Sequence, residues 1–335
     1  MKKAGVIFLL LVIAAAAFLW VEHNSQPAES WNQAPPRERL ITVEKGKSLA
    51  GIAGKLERKG AIRSELFFRY YARFLGYDKK LQAGTYRFPP DVSPREILEM
   101  MSEGAIETAR LSIPEGLTVE EIASRTADNL DIAEDEFMEA VRKGGEGRDY
   151  LPSREEVDYR LEGFLYPTTY SVPFDISAER LIDVMLDKFE NRWLEELREA
   201  EAPINSNLSE NELIIIASLV EKEARLVEEK PLIAGVIYNR LEKDMKLQID
   251  ATVQYSLPRR QERLLYRDLE VESRYNTYLH RGLPPGPIAS PGDNAISAAI
   301  NPEESNYLFY FARSDGSHVF TESYEEHLEK QRMLD

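Results

Sequence analysis

An uninterrupted apolar segment that runs straight into charged residues constrains this chain more than any other feature. Residues 213–220 (LIIIASLV) are apolar on every side of a helix, and a helix of that kind must be buried inside a domain. Ser209 and Glu212 have the spacing of a capping box, which predicts that the helix begins there. Because Glu221-Lys222-Glu223 follow at once, two carboxyl groups are predicted where a buried helix meets polar surroundings.

The two glutamates at this helix end differ in the helix face that they extend. Glu223 lies three residues after Val220 and prolongs the buried face, whereas Glu221 prolongs the side of Ala217. A partly desolvated carboxyl group has a raised pKa and suits a general acid. Spacing alone allows a second interpretation equally well, in which both glutamates are solvated.

Uncharged hydrogen-bonding side chains recur among aromatic residues further along the chain. They occur in residues 247–254 (LQIDATVQ) and 275–278 (YNTY). Residues 282–292 add four prolines, which lack backbone N–H donors, so this segment is predicted to form a cleft wall instead of a phosphate cradle. Aromatic, amide and hydroxyl groups with few cations favour a neutral sugar polymer as the ligand.

Glu162 is the only charged residue in the aromatic segment 161–170 (LEGFLYPTTY). Two interpretations are open for it. The carboxylate forms a structural salt bridge, or it lines an aromatic sugar-binding groove.

The pattern of short strands and amphipathic helices predicts an α+β fold with two folded units. Residues 39–105 are predicted to form a small α/β domain, and residues 106–335 a larger mixed α+β domain. In the small domain, a helix starting near Ser64 is predicted to bury an apolar stripe that contains Leu66, Phe67, Tyr70 and Phe74. Near the end of the chain, residues 307–312 and 318–320 are predicted to be two strands joined by Asp315-Gly316.

An apolar run near the N-terminus predicts a membrane anchor. Residues 4–21 contain 18 consecutive residues without a charge, and a helix of that length spans roughly 27 Å. Lys2 and Lys3 precede the run, so residues 1–3 are expected in the cytoplasm and the remainder outside the cytoplasmic (inner) membrane. Residues 22–38 are polar and proline-containing, as in a linker. The alternative is a cleaved secretory signal.

Composition and missing motifs exclude several other classes. A net charge of −16 argues against a nucleic-acid partner. The chain has no cysteine, its four histidines are not at metal-ligand spacing, and it contains neither a dinucleotide fingerprint nor a G-x-S-x-G elbow. Gly46-Lys47-Ser48 resembles the end of a phosphate-binding loop, but Ile41 stands where that loop requires glycine. We therefore expect no metal and no cofactor.

Two sets of residues carry a resemblance to known families. Residues 43–53 (VEKGKSLAGIA) resemble the opening of a LysM-type module, which binds N-acetylglucosamine polymers; an internal spacer is the alternative. Nearly the whole chain resembles the endolytic murein transglycosylase, or YceG-like, family. The matching blocks are residues 83–88 (AGTYRF), Glu162-Gly163, 217–223 (ASLVEKE), 236–241 (VIYNRL), 247–248 with Asp250, 275–278 (YNTY) and 282–286 (GLPPG).

The resemblance implies an activity and a set of site residues. Members cut nascent peptidoglycan glycan strands at the outer face of the cytoplasmic membrane, with the second glutamate of the E-K-E block as the catalytic acid. That residue is Glu223 here, followed by Ala224 where the family often has threonine. The candidate glycan-binding residues are Glu162, Glu221, Gln248, Asp250, Tyr275, Asn276 and Thr277.

In the implied reaction, Glu223 protonates the glycosidic oxygen between N-acetylmuramic acid and N-acetylglucosamine, and the muramic C6 hydroxyl attacks C1 to give a 1,6-anhydro end. Peptidoglycan is the expected partner, and the sequence leaves open whether peptidoglycan synthases are partners too. Two alternatives also stay open. One is a non-enzymatic wall-binding or assembly protein, and the other is a hydrolytic muramidase, which needs a second carboxylate.

Overall fold

The structure, a computed structural model, describes residues 2–199 and 208–334. The side chains of residues 2–6, 8, 9, 36, 37, 199 and 334 lie outside the described set. The described residues form helices and short two-stranded sheets joined by irregular segments, which confirms the predicted α+β class. The chain divides into a first unit, Met1–Ala109 with Ser171–Ile176, and a second unit, Arg110–Tyr170 with Ser177–Asp335.

The first unit is built around one antiparallel strand pair. Its elements are α1 (Lys2–Asn24), α2 (Glu29–Gln33), β1 (Leu40–Val43), α3 (Leu49–Lys59), α4 (Glu65–Phe74), β2 (Gly84–Arg87) and α5 (Pro94–Glu103). Leu40 pairs with Arg87 and Val43 with Gly84. The hydroxyl of Ser48 accepts the Gly51 N–H and caps α3.

The buried face of α4 differs from the predicted stripe. Phe67 is buried as expected, but its buried neighbours are Phe68 and Ala72. Leu66, Tyr70 and Phe74 are instead 56%, 62% and 86% exposed. The prediction was wrong because α4 has apolar residues on both faces, so helical periodicity alone cannot select the one that packs inward.

The predicted membrane anchor at residues 4–21 falls within α1. The side chains of residues 4–6, 8 and 9 of this segment are outside the described set. In the part of the chain that the structure describes, no helix combines the length and the apolar character that a membrane crossing requires.

The strands β3 (Thr108–Ser112) and β4 (Thr169–Pro173) form a second two-stranded sheet. The second unit is mainly helical. Its helices are α6 (Val119–Asn129), α7 (Glu134–Lys143), α8 (Ala178–Phe189), α9 (Glu195–Glu199), α10 (Glu210–Glu223), α11 (Lys230–Glu242), α12 (Asp250–Ser256), α13 (Asp293–Ile300) and α14 (Tyr324–Leu334). A π-helical turn, Glu190–Leu194, joins α8 to α9, and the strands β5 (Phe309–Ala312) and β6 (His318–Thr321) form a hairpin as predicted. Short 3-10 turns occur at Pro36–Arg39, Val227–Glu229 and Tyr266–Glu270.

Helix α10 is the centre of the second unit. Ser209 and Glu212 form the predicted capping box, and residues 213–220 are all buried. Ser218 accepts the backbone N–H of Ile288 at 3.1 Å, which fastens the proline-rich segment 282–292 to this helix. The same segment approaches Gly163, where a Cβ would lie 2.5 Å from the Pro287 side chain.

Candidate active site

A cleft of about 1350 Å³ opens in the second unit at the C-terminal end of α10. Residues from α6, α10, α11, α12, the β5–β6 hairpin and α14 line it. Four of the predicted site residues lie in this cleft, namely Glu162, Glu223, Gln248 and Asp250. The structure therefore brings together carboxyl groups that are far apart in sequence.

Glu223 is the last residue of α10 and is partly buried in the cleft wall. Its Oε2 accepts a hydrogen bond from the Tyr310 hydroxyl at 2.9 Å. Burial raises the pKa of Glu223, and the nearby Asp250 carboxylate raises it further. Tyr310, His318 and the Ala251 N–H oppose this shift because they stabilise the ionised form, but the net direction is upward.

The groups behind Glu223 form a network that the sequence did not predict. Tyr310 lies on β5, and its ring meets the His318 ring edge-to-face at 5.6 Å. His318 is held in turn by Glu229, whose Oε2 is 2.6 Å from His318 Nδ1 and whose Oε1 accepts the His318 N–H at 2.9 Å. Burial and the Glu223 carboxyl group keep the pKa of Tyr310 well above its usual value, so Tyr310 acts as a hydrogen-bond donor.

Asp250 and Gln248 lie at the N-terminal end of α12 and are exposed to the cleft. The Tyr278 hydroxyl donates to Asp250 Oδ1 at 2.6 Å. Gln248 has φ = 52°, a left-handed conformation that a residue other than glycine adopts only at a cost. The surrounding fold imposes this conformation, which places residue 248 at the cleft surface.

Tyr275, Asn276 and Thr277 are buried. Asn276 Nδ2 donates to the carbonyls of Leu269 and Val271. Thr277 Oγ1 accepts the Ile249 N–H at 2.9 Å. The Thr277 side chain therefore holds the backbone of the Gln248–Asp250 segment, whereas the Asn276 side chain holds the segment that precedes it in the chain.

Glu162 also lines the cleft, but its side chain is only 1% exposed. It accepts the Val119 N–H at the start of α6 at 3.1 Å and the Tyr255 hydroxyl at 3.3 Å. Burial raises its pKa to about 8, despite these two donors. The groups that contact Glu162 are thus neutral donors, which differs from the salt bridge considered from the sequence.

Glu221 belongs to a separate cluster on another side of α10. Its Oε2 is 2.8 Å from Lys230 Nζ, in an ion pair whose side chains are 11% and 5% exposed. It also accepts the Gly292 N–H at 3.2 Å. Glu221 therefore links α10 to α11 and to the end of the proline-rich segment.

Helix α11 positions the cleft from below through side chains that bond to backbone carbonyls. Asn239 Nδ2 donates to Ser305 O and Tyr307 O, at 2.7 and 2.9 Å. Arg240 donates to Leu308 O and Leu247 O, at 2.6 and 2.7 Å. Arg240 thereby fixes the strand that carries Tyr310 and the turn that carries Gln248 against the same helix.

The cleft can hold an extended ligand beside two carboxyl groups whose pKa values are raised, Glu223 and the more deeply buried Glu162. Tyr159, Tyr255 and Tyr278 supply aromatic surface, and Arg225 and Arg260 supply positive charge. This arrangement suits general acid catalysis on a polar polymer.

Comparison with known proteins decides the family. A family model described as "YceG-like family" matches residues 41–333. The chain belongs to the YceG-like family. This YceG-like chain is 33% identical over 332 residues to a Bacillus subtilis (strain 168) protein named endolytic murein transglycosylase, covering 94% of the chain and 89% of that protein.

A further relative and a solved structure support the same family assignment. A Streptococcus pneumoniae (serotype 2, strain D39) protein of the same name is 33% identical over 318 residues, covering 86% of the chain and 56% of that protein. A crystal structure of a yceG-like protein from Listeria monocytogenes has a TM-score of 0.58 and 32% identity, covering 87% of this chain and 98% of the other.

Proposed function

We propose that this YceG-like protein is an endolytic murein transglycosylase that cleaves peptidoglycan glycan strands between N-acetylmuramic acid and N-acetylglucosamine. The names of the Bacillus and Streptococcus relatives support this activity. The observation that carries the proposal is the position of Glu223, which lines the cleft and has a pKa raised by burial.

The chemistry needs one group that first gives and then takes a proton. Glu223 in its acid form protonates the glycosidic oxygen as the bond to muramic C1 breaks. The C6 hydroxyl of the same sugar then attacks C1, and ionised Glu223 accepts the hydroxyl proton. Because the nucleophile is tethered to the reacting ring, its attack has the advantage of an intramolecular step. The products are a 1,6-anhydro-N-acetylmuramic acid end and a new N-acetylglucosamine hydroxyl, with no water consumed.

The Tyr310 hydroxyl stabilises the ionised form of Glu223 that exists between the two proton transfers. It donates to Glu223 Oε2 and so stabilises the carboxylate that exists after the first proton transfer. Gln248 and Asp250, at the cleft surface, are placed to position the glycan, while Tyr275, Asn276, Thr277 and Glu162 support the cleft from inside.

A muramidase is the second candidate, and Asp250 is the observation that favours it. Asp250 lines the same cleft as Glu223 and interacts with it electrostatically. A hydrolase needs such a second carboxylate to activate water or to act as a nucleophile. The two reactions leave different chain ends, so the products distinguish them.

We also propose the location that was expected from the sequence. Residues 4–21 anchor the chain in the cytoplasmic membrane, and the second unit acts outside it on nascent strands, where cleavage terminates strand elongation. Within residues 39–105, the LysM-like interpretation has local support: Gly46 turns with φ = 82°, Ser48 caps α3, and Ile52 and Ala53 are buried.

A pair of variants on one helix tests the role of Glu223. Glu223→Gln keeps the shape but cannot deliver a proton, so we expect cleavage of uncrosslinked glycan to fall by about 10²–10⁴ with folding and glycan binding retained. Glu221→Gln breaks a buried ion pair, so it should lower the free energy of unfolding by about 3–5 kcal/mol while the folded fraction still cleaves. Cleavage by Glu223→Gln at the wild-type rate would rule out Glu223 as the acid. Glycan binding without cleavage by the wild-type chain would instead favour a wall-binding protein.

A further inference from the structure

One apolar face of α4 points outward, and its side chains do not belong to the buried core of the first unit. Leu66, Tyr70 and Phe74 are spaced by four residues, so they lie on one face of the helix. Phe74 is 86% exposed. A contiguous exposed apolar face on a soluble domain usually marks an interaction site.

This face adjoins the apolar surface of α1, which belongs to the same unit. The Trp20 ring, near the end of α1, meets the Phe67 ring of α4 edge-to-face at 5.3 Å. Arg63, just before α4, is 2.8 Å from His23 and also donates to Pro27 O at 3.0 Å. The base of α4 is therefore fastened to the end of α1.

The charge around α4 is opposite to that of the whole chain. Residues 55–80 contain eight Lys or Arg and three Asp or Glu, a formal charge of +5, whereas the chain carries −16. Arg73 on α4 and Lys79 and Lys80 in the segment after α4 are exposed. Aromatic residues with flanking cations are typical of helices that lie in the interface of an anionic membrane.

We propose that the α4 face formed by Leu66, Tyr70 and Phe74 docks on the surface of an anionic lipid bilayer and holds the first unit against it. The proposal rests on the proposed membrane anchor at residues 4–21. If α1 crosses the bilayer, its end near Trp20 lies at the interface, and α4 is attached at that level. The docked helix inserts shallowly, with its cations facing the lipid phosphates.

Fluorescent labels on the full-length protein test the docking. The chain has no cysteine, so single substitutions can be labelled uniquely. Phe74→Cys, Ile13→Cys and Asp91→Cys would each carry an NBD group in vesicles of phosphatidylcholine and phosphatidylglycerol that contain shallow or deep nitroxide lipids. Asp91 is an exposed loop residue of the first unit and serves as the control.

We expect the label at position 74 to be quenched mainly by the shallow nitroxide, the label at 13 by the deep one, and the label at 91 by neither. Quenching at 74 alone should weaken in high salt, without phosphatidylglycerol, or with Arg73→Glu, Lys79→Glu and Lys80→Glu. Quenching at 13 but not at 74 would overturn the docking and leave the anchor standing. Absence of quenching at both would overturn the anchor and the docking together. A blue shift at 74 without quenching, which grows with the protein-to-lipid ratio, would show a second copy of the chain on this face and overturn the proposal.

Discussion

Glu221 and Glu223 are two residues apart, yet α10 places them in different surroundings. Each residue of a helix is rotated by about 100° from the one before it, so two side chains that are two residues apart point to nearly opposite sides of the helix. Glu221 forms an ion pair with Lys230 at 2.8 Å, whereas Glu223 accepts a hydrogen bond from the neutral Tyr310 hydroxyl. The spacing of residues 216–223 could predict this difference because it depends only on helix geometry and on which face is buried.

Glu162 makes the stability of the second unit depend on pH. Its pKa is about 8 in the folded chain against 4.5 for an ordinary glutamate, so the folded chain binds more protons between these values. The free energy of unfolding should therefore fall as pH rises from about 4.5 to 8, by up to about 1.4 kcal/mol per pH unit from this residue. The stabilising contribution is complete below pH 4.5 and is lost as pH passes 8.

Glu162→Gln removes this dependence, because glutamine can accept the Val119 N–H without ionising. The free energy of unfolding would be measured with denaturant from pH 5 to 8. As pH rises, the Glu162→Gln variant should become more stable relative to wild type. Curves for wild type and variant that stay parallel across this range would contradict the protonation state assigned to Glu162.

The β5–β6 hairpin supplies a group that the sequence did not assign to the site. Two strands and the Asp315-Gly316 turn could be predicted from local pattern. The contact from Tyr310 to Glu223 could not, since it joins residues 87 positions apart and depends on how Asn239 and Arg240 hold the strand on α11. Similarly, the residue types in 275–278 suggested ligand contacts, but burial directs Asn276 and Thr277 to backbone groups.

Tyr310→Phe should move the pH dependence of cleavage. The lost hydrogen bond stabilises ionised Glu223, so its removal raises the pKa of Glu223 further. A hydrogen bond to a charged group contributes about 1.5–3 kcal/mol, which corresponds to roughly one to two pH units. The alkaline limb of kcat/KM should shift upward by that amount while kcat falls.

Tyr278→Phe is the matched control, since it removes another tyrosine hydroxyl from the same cleft that donates to Asp250 instead. Its alkaline limb should shift less than that of Tyr310→Phe. An unmoved or lowered limb in Tyr310→Phe would show that Tyr310 does not tune the acid.

At the scale of the whole molecule, the mixed α+β class could be predicted because it follows from local periodicity. The outward face of α4 could not, because both faces of that helix are apolar and the choice depends on packing around Phe68 and Ala72. The local excess of cations in residues 55–80 can be counted from the sequence, but its relevance depends on the exposed apolar face that only the structure shows.

The proposed topology places the second unit outside the cytoplasmic membrane. Glu262 is an exposed residue of that unit. In bacterial spheroplasts that express the full chain, Glu262→Cys should react with a membrane-impermeant maleimide without lysis. Labelling that appears only after lysis would place the unit in the cytoplasm and contradict the topology.

The origin of the oxygen at the new muramic acid end tests the central claim most directly. Uncrosslinked glycan would be digested in H₂¹⁸O and the fragments analysed by mass spectrometry. The account predicts internal cuts whose ends are 1,6-anhydro-N-acetylmuramic acid, without ¹⁸O and resistant to borohydride, because the C6 hydroxyl of the substrate is the nucleophile. Reducible N-acetylmuramic acid ends that carry one ¹⁸O as the main product would show that water is the nucleophile and would identify a muramidase instead.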